Sequence, residues 1–298
     1  MMKRLRLAIV GFGRLGRACA QVMVGSEDVV LAGIVRRPEQ VNEKLPPPFS
    51  AIPRAAHIGE LPEVDAALIC VPVNLVQGIS QSLLSRRIPI VECAILHGEA
   101  FQEHQAEIYR VAFHHKVAAI VGAGWDPGAL SLFRCLFGLL IPKGHTETTR
   151  RPGLSLHHTL AAQSIPGVKD ALSTELSNAD GKAQRYVYVE LASGADQDEV
   201  VQAIRSDPQF LDVETLVFSV NSIASLEDEG HGVVLERRAA SGQAGHARFL
   251  LEGRFDESFL TARIMLAAAR ALPGCKPGAL SLLELPLAAL WGELTAYP

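Results

Sequence analysis

Through residue 122 the apolar positions fall in short, nearly continuous bursts: LRLAIV, VVLAGIV, AALICVPV, IPIVECAIL and VAAIVGAG, each bounded by polar residues, glycine or proline. Runs this short and this apolar predict strands buried on both faces, as in a parallel sheet covered by helices. Between them the spacing changes to that of helices. Leu15, Cys19, Val22 and Met23 share one side of RLGRACAQVMVG, and AFQEHQAEIYRVAFHHK reads as a surface helix with a polar face. Beyond residue 145 the pattern becomes alternating: QRYVYVELA, ETLVFSVNS, HGVVLERRAAS and HARFLLEGRF predict half-buried strands, with one acidic helix, ADQDEVVQAIRS, among them. LTARIMLAAARAL then returns the chain to helix, before glycine and proline punctuation and a short apolar end.

The 298 residues suffice for two domains and a substantial core, and 48 % hydrophobic with 20 % charged residues is an ordinary globular balance. A formal net charge of −4 leaves no basic field, so neither nucleic acid nor an acidic membrane surface is an expected partner. The five cysteines (Cys19, Cys70, Cys93, Cys135 and Cys275) are scattered without a CxxC pair, which argues against a disulfide framework or a metal site and for a reducing compartment. MMKRLRLAIVGFG begins like a secretory signal, but its apolar run stops at glycine after about six residues. No apolar stretch reaches the ~18 residues of a membrane span. The expected setting is the cytoplasm.

Chemistry first shows in GFGRLGRA, residues 11–18, which follows an apolar strand and opens a helix. Gly11 permits the tight turn, Gly13 lets backbone approach a pyrophosphate, Gly16 lets helix and strand pack, and Phe12, Arg14 and Leu15 complete the turn. The helix N-terminus offers N–H groups to phosphate. Where an NAD enzyme places an acid to bond the ribose 2′-hydroxyl, the second strand ends in Arg36 and Arg37, which attract a 2′-phosphate and so favour NADP; the bland alternative is a solvated arginine pair. Cys70, Val71 and Pro72 close a later strand, either as a loop under the nicotinamide ribose or as an ordinary strand-end turn. The expected fold is α/β, with an N-terminal Rossmann dinucleotide-binding domain on a parallel sheet (1–122 and 270–298). An α+β substrate-binding and dimerisation domain with an open mixed sheet is expected over 123–269.

With this fold in view, VGAGWDPGALS, RPGLSLHHTLAAQSIPGVKDAL, RYVYVE and GHGVVLERRAASG, together with IVGFGRLGR, resemble the meso-diaminopimelate dehydrogenase family over most of the chain. The resemblance implies an NADP-dependent, typically dimeric enzyme that reversibly deaminates the D-centre of an amino acid, releasing ammonia and a 2-oxo acid. It implies that Asp126 binds the reacting ammonium and positions water, that Trp125 forms an aromatic wall, and that Gly124 leaves room for a ligand. Asp126 as a helix cap is the alternative. It further implies contacts to the reacting centre from Leu156, His157, His158 and Thr159, and a clamp on the distal carboxylate from Arg185 and His231. His158 also reads as a packed, hydrogen-bonded histidine, and Arg185 as a surface residue at a strand start.

Departures from the family pattern bear on substrate. Ile95 stands where the family carries a second acid, unless Glu92 or Glu99 reaches in, and His157 replaces a glycine. Glu175 falls where a hydroxyl residue meets the distal carboxylate, and Glu257 near an amide of the same clamp. Two carboxylates about 5 Å apart repel by roughly 1 kcal/mol in water and several at lower effective dielectric. That charge logic favours an amino acid with a neutral or cationic distal end, such as lysine or ornithine. Two rival classes remain. A dehydrogenase of the glucose–fructose oxidoreductase type usually carries a lysine base, which VECAIL lacks, and a non-catalytic NADP(H)-binding regulator is motivated by Ile95. His57, His97, His104, His145 and His246 read as surface or turn residues, and His114 and His115 as a helix end.

Overall fold

The structure is a computed structural model, which describes residues 4–150, 156–177, 183–223, 231–240 and 247–290. The first half runs β1 (Leu5–Val10), α1 (Arg14–Met23), β2 (Val29–Val35), β3 (Arg54–Ala55), β4 (Ala66–Ile69), α2 (Val73–Ser85), β5 (Ile90–Glu92), α3 (Gly98–His115), β6 (Ala118–Val121) and α4 (Leu130–Leu140). The second half runs β7 (Gly144–Arg150), α5 (Leu156–Gln163), β8 (Val168–Ser177), β9 (Ala183–Leu191), α6 (Gln197–Ser206), β10 (Glu214–Ser219), β11 (His231–Ala239), β12 (Arg248–Phe255), α7 (Glu257–Ala271) and β13 (Gly278–Ser281). The chain divides into two compact units, 1–136 with 257–298, and 137–256. No described helix is long and apolar enough to cross a membrane.

The first unit is built on a sheet ordered β13-β6-β5-β4-β1-β2-β3, parallel throughout. Strand alternation explains why the runs are apolar from end to end. Leu7 and Ile9 of β1, with Leu68 and Ile120, face a core shared with Cys19 and Met23 of α1 and Met265 and Ala269 of α7. Ala8, Val10, Ile69 and Val121 face the opposite core, with Leu83, Leu84, Ile108 and Ala112 of α2 and α3. Each fully buried Leu or Ile contributes roughly 1.5–3 kcal/mol, so neither face tolerates a polar strand residue.

Two boundaries differ from the sequence reading. Residues 123–136 and 257–269 belong with the dinucleotide unit rather than the second domain. Ala262, Met265, Ala268 and Ala269 form an apolar stripe that buries α7 in the first unit's core. The short segment Gly278–Ser281 also proves to be a strand, pairing in parallel with β6 at the sheet edge.

Among the described residues, the second unit carries the expected mixed sheet, of three strands, together with a second three-stranded sheet. In the first, β8 and β9 are antiparallel while β9 and β10 are parallel, the latter connected through α6 as parallel strands require. Val187 and Val189 of β9 pack under Ala161 and Ala162 of α5 and Val200 and Ile204 of α6. The second sheet, β7-β11-β12, is wholly antiparallel.

Candidate functional site

The strand order reverses direction between β1 and β4, the switch point at which open parallel sheets bind ligands beyond their carboxyl ends. A cleft of about 680 Å³ opens there, lined by Gly11, Phe12, Gly13, Arg36, Arg37, Cys70, Val71 and Pro72, with Arg17 and His57 beside them. Gly11 adopts φ +92°, and a Cβ on it would stand 2.5 Å from the Cys70 carbonyl oxygen. A Cβ at Gly16 would collide with the Gly11 carbonyl. Gly13 differs: a Cβ there meets no protein atom within 4 Å, so the space beside it in the cleft is open. Gly13 is also the N-cap of α1 and supplies no side-chain cap. The N–H groups at Arg14 and Leu15 therefore face the anion-binding end of a helix. These features fit a pyrophosphate.

The two arginines at the end of β2 are unequally committed. Arg36 is mostly buried, its guanidinium 2.6 Å from Glu43 Oε2, whereas Arg37 has a side chain 72 % exposed with Nε 3.2 Å from Gln40 Oε1. Arg37, whose Nε also lies 3.6 Å from the exposed Glu39 carboxylate, therefore holds the more accessible charge for an added phosphate, while Arg36 shares its charge with a closer carboxylate. His57, read from sequence as a surface residue, lines the same cleft. Its Nδ1 accepts from the Gly59 N–H at 3.1 Å, which places the ring proton on Nε2.

Farther along the same carboxyl edge, the chain leaves β6 at Gly122 (φ +63°) and makes a wide π-type turn over Trp125–Ala129. Asp126 keeps extended backbone inside that turn (φ −128°, ψ 123°), which aims its side chain out of the helical course. The carboxylate is 5 % exposed, 3.5 Å from Arg134 Nη1 and 3.8 Å from His97 Nδ1. Trp125 donates its backbone N–H to Thr261 Oγ1 at 3.3 Å, and its ring lies 6.2 Å from that of Phe133. The glycines play a different part from that expected. A Cβ at Gly124 would sit 3.2 Å from Cys93 Cβ, and one at Gly128 would sit 2.5 Å from the Gly122 carbonyl, so the space they leave is filled by the protein itself.

Glu92 does not replace the acid absent at Ile95. It is fully buried, accepts from the Ala94 and Gly122 N–H groups at 2.5 and 2.9 Å, and meets His104 Nε2 at 3.3 Å. Its work is to tie the loop after β5 to the loop after β6. His104, expected on the surface, is the buried partner of that carboxylate. Ile95 is 58 % exposed, and Glu99 stands in the first turn of α3. Burial pushes the Cys93 thiol well above its ordinary range, with the Glu92 charge adding to it.

In the second unit, the Thr159 hydroxyl is buried and accepts from the Ser173 N–H at 2.9 Å, a packing role. His158 lies with its ring 5.6 Å from that of Phe210. Arg185 is buried rather than on the surface. Its fork meets Asp212 Oδ1 at 2.7 Å and Oδ2 at 3.3 Å, with the guanidinium 5.9 Å from the Phe210 ring centroid. The hydrogen bond from Arg185 holds the Asp212 carboxyl below the usual carboxylate range. The side chains of Leu156, His157, Glu175 and His231 lie outside the described residues. Glu257 sits in the first turn of α7, where an acid suits the helix N-terminus. Among the described residues no group of three or more His, Cys, Asp or Glu side chains is placed to hold a metal ion.

A glycine turn at the switch point of a parallel sheet, an arginine pair beside it and a buried carboxylate on the same edge define a dinucleotide-dependent oxidoreductase. The chain is 36 % identical over 286 residues to the meso-diaminopimelate D-dehydrogenase of Bacteroides fragilis, covering 96 % of this chain and 95 % of that one. It belongs to the meso-diaminopimelate D-dehydrogenase family. No protein-family model matches the sequence. Among solved structures, a C. glutamicum diaminopimelate dehydrogenase in complex with diaminopimelate superposes with a TM-score of 0.65 at 23 % identity, over 97 % of this chain and 96 % of that one. An engineered D-amino acid dehydrogenase bound to NADP+ gives 0.64 at 22 %, over the same shares. At those identities the likeness is one of fold.

Proposed function

We infer that the chain is an NADP-dependent amino acid dehydrogenase that oxidatively deaminates the amino-bearing carbon of an amino acid related to meso-diaminopimelate. In reverse it aminates the matching 2-oxo acid. The observation that carries this reading is the identity with the Bacteroides fragilis enzyme, because it runs over 96 % of the chain and so spans both the cleft and the Asp126 turn. The turn at Gly11–Gly16 would hold the pyrophosphate, and Arg36 with Arg37 the 2′-phosphate. NADP, when bound, supplies the two-electron acceptor. In the net reaction an ammonium-bearing carbon, NADP+ and water give a 2-oxo acid, ammonium, NADPH and a proton.

The chain's own part is to bind, orient and exclude water. Asp126 receives the substrate ammonium, and after oxidation orients the water that attacks the imine. Arg134 fixes the direction of that carboxylate, and the Trp125 indole limits how the substrate can rotate. Burial of Asp126 strengthens its attraction for a cation over the same contact in water. The loop Cys70–Val71–Pro72 completes the proposed surroundings, with His158 assigned to the reacting end by family likeness.

At the distal end, Arg185 is already bidentate with Asp212. A second carboxylate would compete for a neutralised fork, which supports a substrate whose distal end is neutral or cationic. A homodimer and a cytoplasmic setting complete the reading. Leu139, Leu140, Phe249 and Leu250 are exposed on the second unit and suit a self-complementary surface, and all five cysteines are free thiols. The test is a panel of D- and L-amino acids, with polyols as controls, incubated with the protein and NADP+ while nicotinamide absorbance is followed. Turnover of diamino acids supports the reading. Turnover of polyols alone, or none, removes it, and a strong preference for meso-diaminopimelate over lysine or ornithine removes the distal-end assignment.

A further inference from the structure

The loop after β5 brings His97 beside Asp126. His97 is the N-cap of α3, a position where side chains commonly bond the helix's own N–H groups, yet its ring makes no such cap. Instead Nδ1 lies 3.8 Å from Asp126 Oδ1. The following residue, Gly98, takes φ +57°, and His97 lines one cavity with Gly122 and with Pro127 and Gly128 of the WDPG turn. The pair is asymmetric in exposure: the Asp126 side chain is 5 % accessible and that of His97 51 %. One end of the pair is enclosed and the other meets solvent.

Deamination of an ammonium-bearing carbon must release protons from an enclosed carboxylate to water. We propose that His97 is a positioning and proton-relay residue for Asp126, a role that rests on the reading of Asp126 as the ammonium-binding group. In the deaminating direction the substrate N–H proton passes to an Asp126 oxygen. The carboxyl then gives it to neutral His97 at Nδ1, and the imidazolium releases a proton to water from Nε2. No oxidant beyond NADP+ enters, and reductive amination runs the same transfers backwards. A 3.8 Å separation is longer than a formed hydrogen bond, and such contacts tighten when substrate closes the site.

The other charged groups around this corner have separate roles. Arg134, from α4, lies 3.5 Å from the same Asp126 oxygen and cannot accept a proton. The buried Glu92–His104 pair is held against the Ala94 and Gly122 backbone. Glu99 stands in the first turn of His97's own helix. Ile95, which replaces the second acid of the family, offers no titratable group.

The test compares wild type, His97→Ala, His97→Gln and Asp126→Asn for deamination, NADPH binding and melting temperature. In the His97 variants kcat falls about tenfold or more, within the range of general acid–base effects, while NADPH affinity and melting temperature hold. The dependence of kcat on pH changes in both His97 variants, because proton release no longer passes through the imidazole. Added imidazole restores His97→Ala and does not restore Asp126→Asn. In parallel, the NMR resonances of the His97 ring in wild type and Asp126→Asn read the contact without activity, and they move when the carboxylate is removed. Full activity with an unchanged pH profile in both His97 variants, or ring resonances that do not move, overturns the proposal. A wild type inactive on every amino acid would instead overturn the reading of the site beneath it.

Discussion

Gly13→Ala separates the fold's needs from the ligand's. A methyl at this position meets no protein atom within 4 Å, and the backbone angles, φ −77° and ψ −157°, are open to alanine. As an N-cap, alanine is poorer than glycine by about 0.5–1 kcal/mol. Reduced freedom of the unfolded chain offsets about 0.4–1 kcal/mol of that. The net change in stability is therefore near zero, and the melting temperature should move by no more than about 2–4 °C. The ligand suffers more, since the methyl occupies the space through which a pyrophosphate reaches the N–H groups of α1. Losing one charge-assisted hydrogen bond costs about 1.5–3 kcal/mol, roughly a ten- to hundredfold weaker Kd. Calorimetric titration with NADPH, beside a thermal melt of the same preparation, reads both quantities. An unchanged Kd in a protein with unchanged melting would refute the placement of phosphate at Gly13, and collapse of the fold would refute the packing argument.

Other consequences follow from the same structure. Arg37→Ala should weaken NADP+ about tenfold or more, the value of a hydrogen bond to a charged group, and leave NAD+ unaffected; equal loss for both dinucleotides would show that the arginine does not read the added phosphate. Hydrogen bonding to Arg270 lowers the Asp28 carboxyl from 3.8 to about 2, so its stabilisation is complete above the higher value and lost as pH falls through the lower. Because the pair is partly exposed its worth is about 1 kcal/mol or less, and Asp28→Asn should flatten stability against pH in that acid window, which denaturant melts at several pH values would detect. Cys19 and Cys70 lie 3.7 Å apart in the core, and their hydrogen bond together with burial raises the Cys70 thiol well above its usual range. Mass spectrometry after brief alkylation of the folded protein should find Cys135, which is exposed, modified ahead of both.

Much of the first unit was legible because its signals are local. A strand running into Gly11, Gly13 and Gly16 and then a helix is a short-range pattern, and the double-sided burial of β1, β4 and β6 appears directly as unbroken apolar runs. The edge strand Gly278–Ser281 was not legible because four residues are too few to carry a period, and only pairing with β6 makes them a strand. Side-chain partners were less visible still. His97 and His104 look alike in the sequence, yet one cradles a carboxylate at the sheet edge and the other is buried against Glu92. Arg185 reads as a strand-start residue until β10 pairs with β9 and the preceding turn brings Asp212 to it. A usable signal for His97 did exist: it follows the carboxyl end of a parallel strand, where such sheets gather their ligand contacts.

Joining of ammonia to a carbonyl carbon at the expense of NADPH can be followed directly. Purified protein given NADPH, heavy-nitrogen ammonium and the 2-oxo acid matching one end of a diamino acid should consume NADPH. The label should appear in a D-configured amino acid, mole for mole with the NADPH oxidised. NADPH oxidation without label in any amino acid, or NADPH left untouched across such 2-oxo acids, would contradict it.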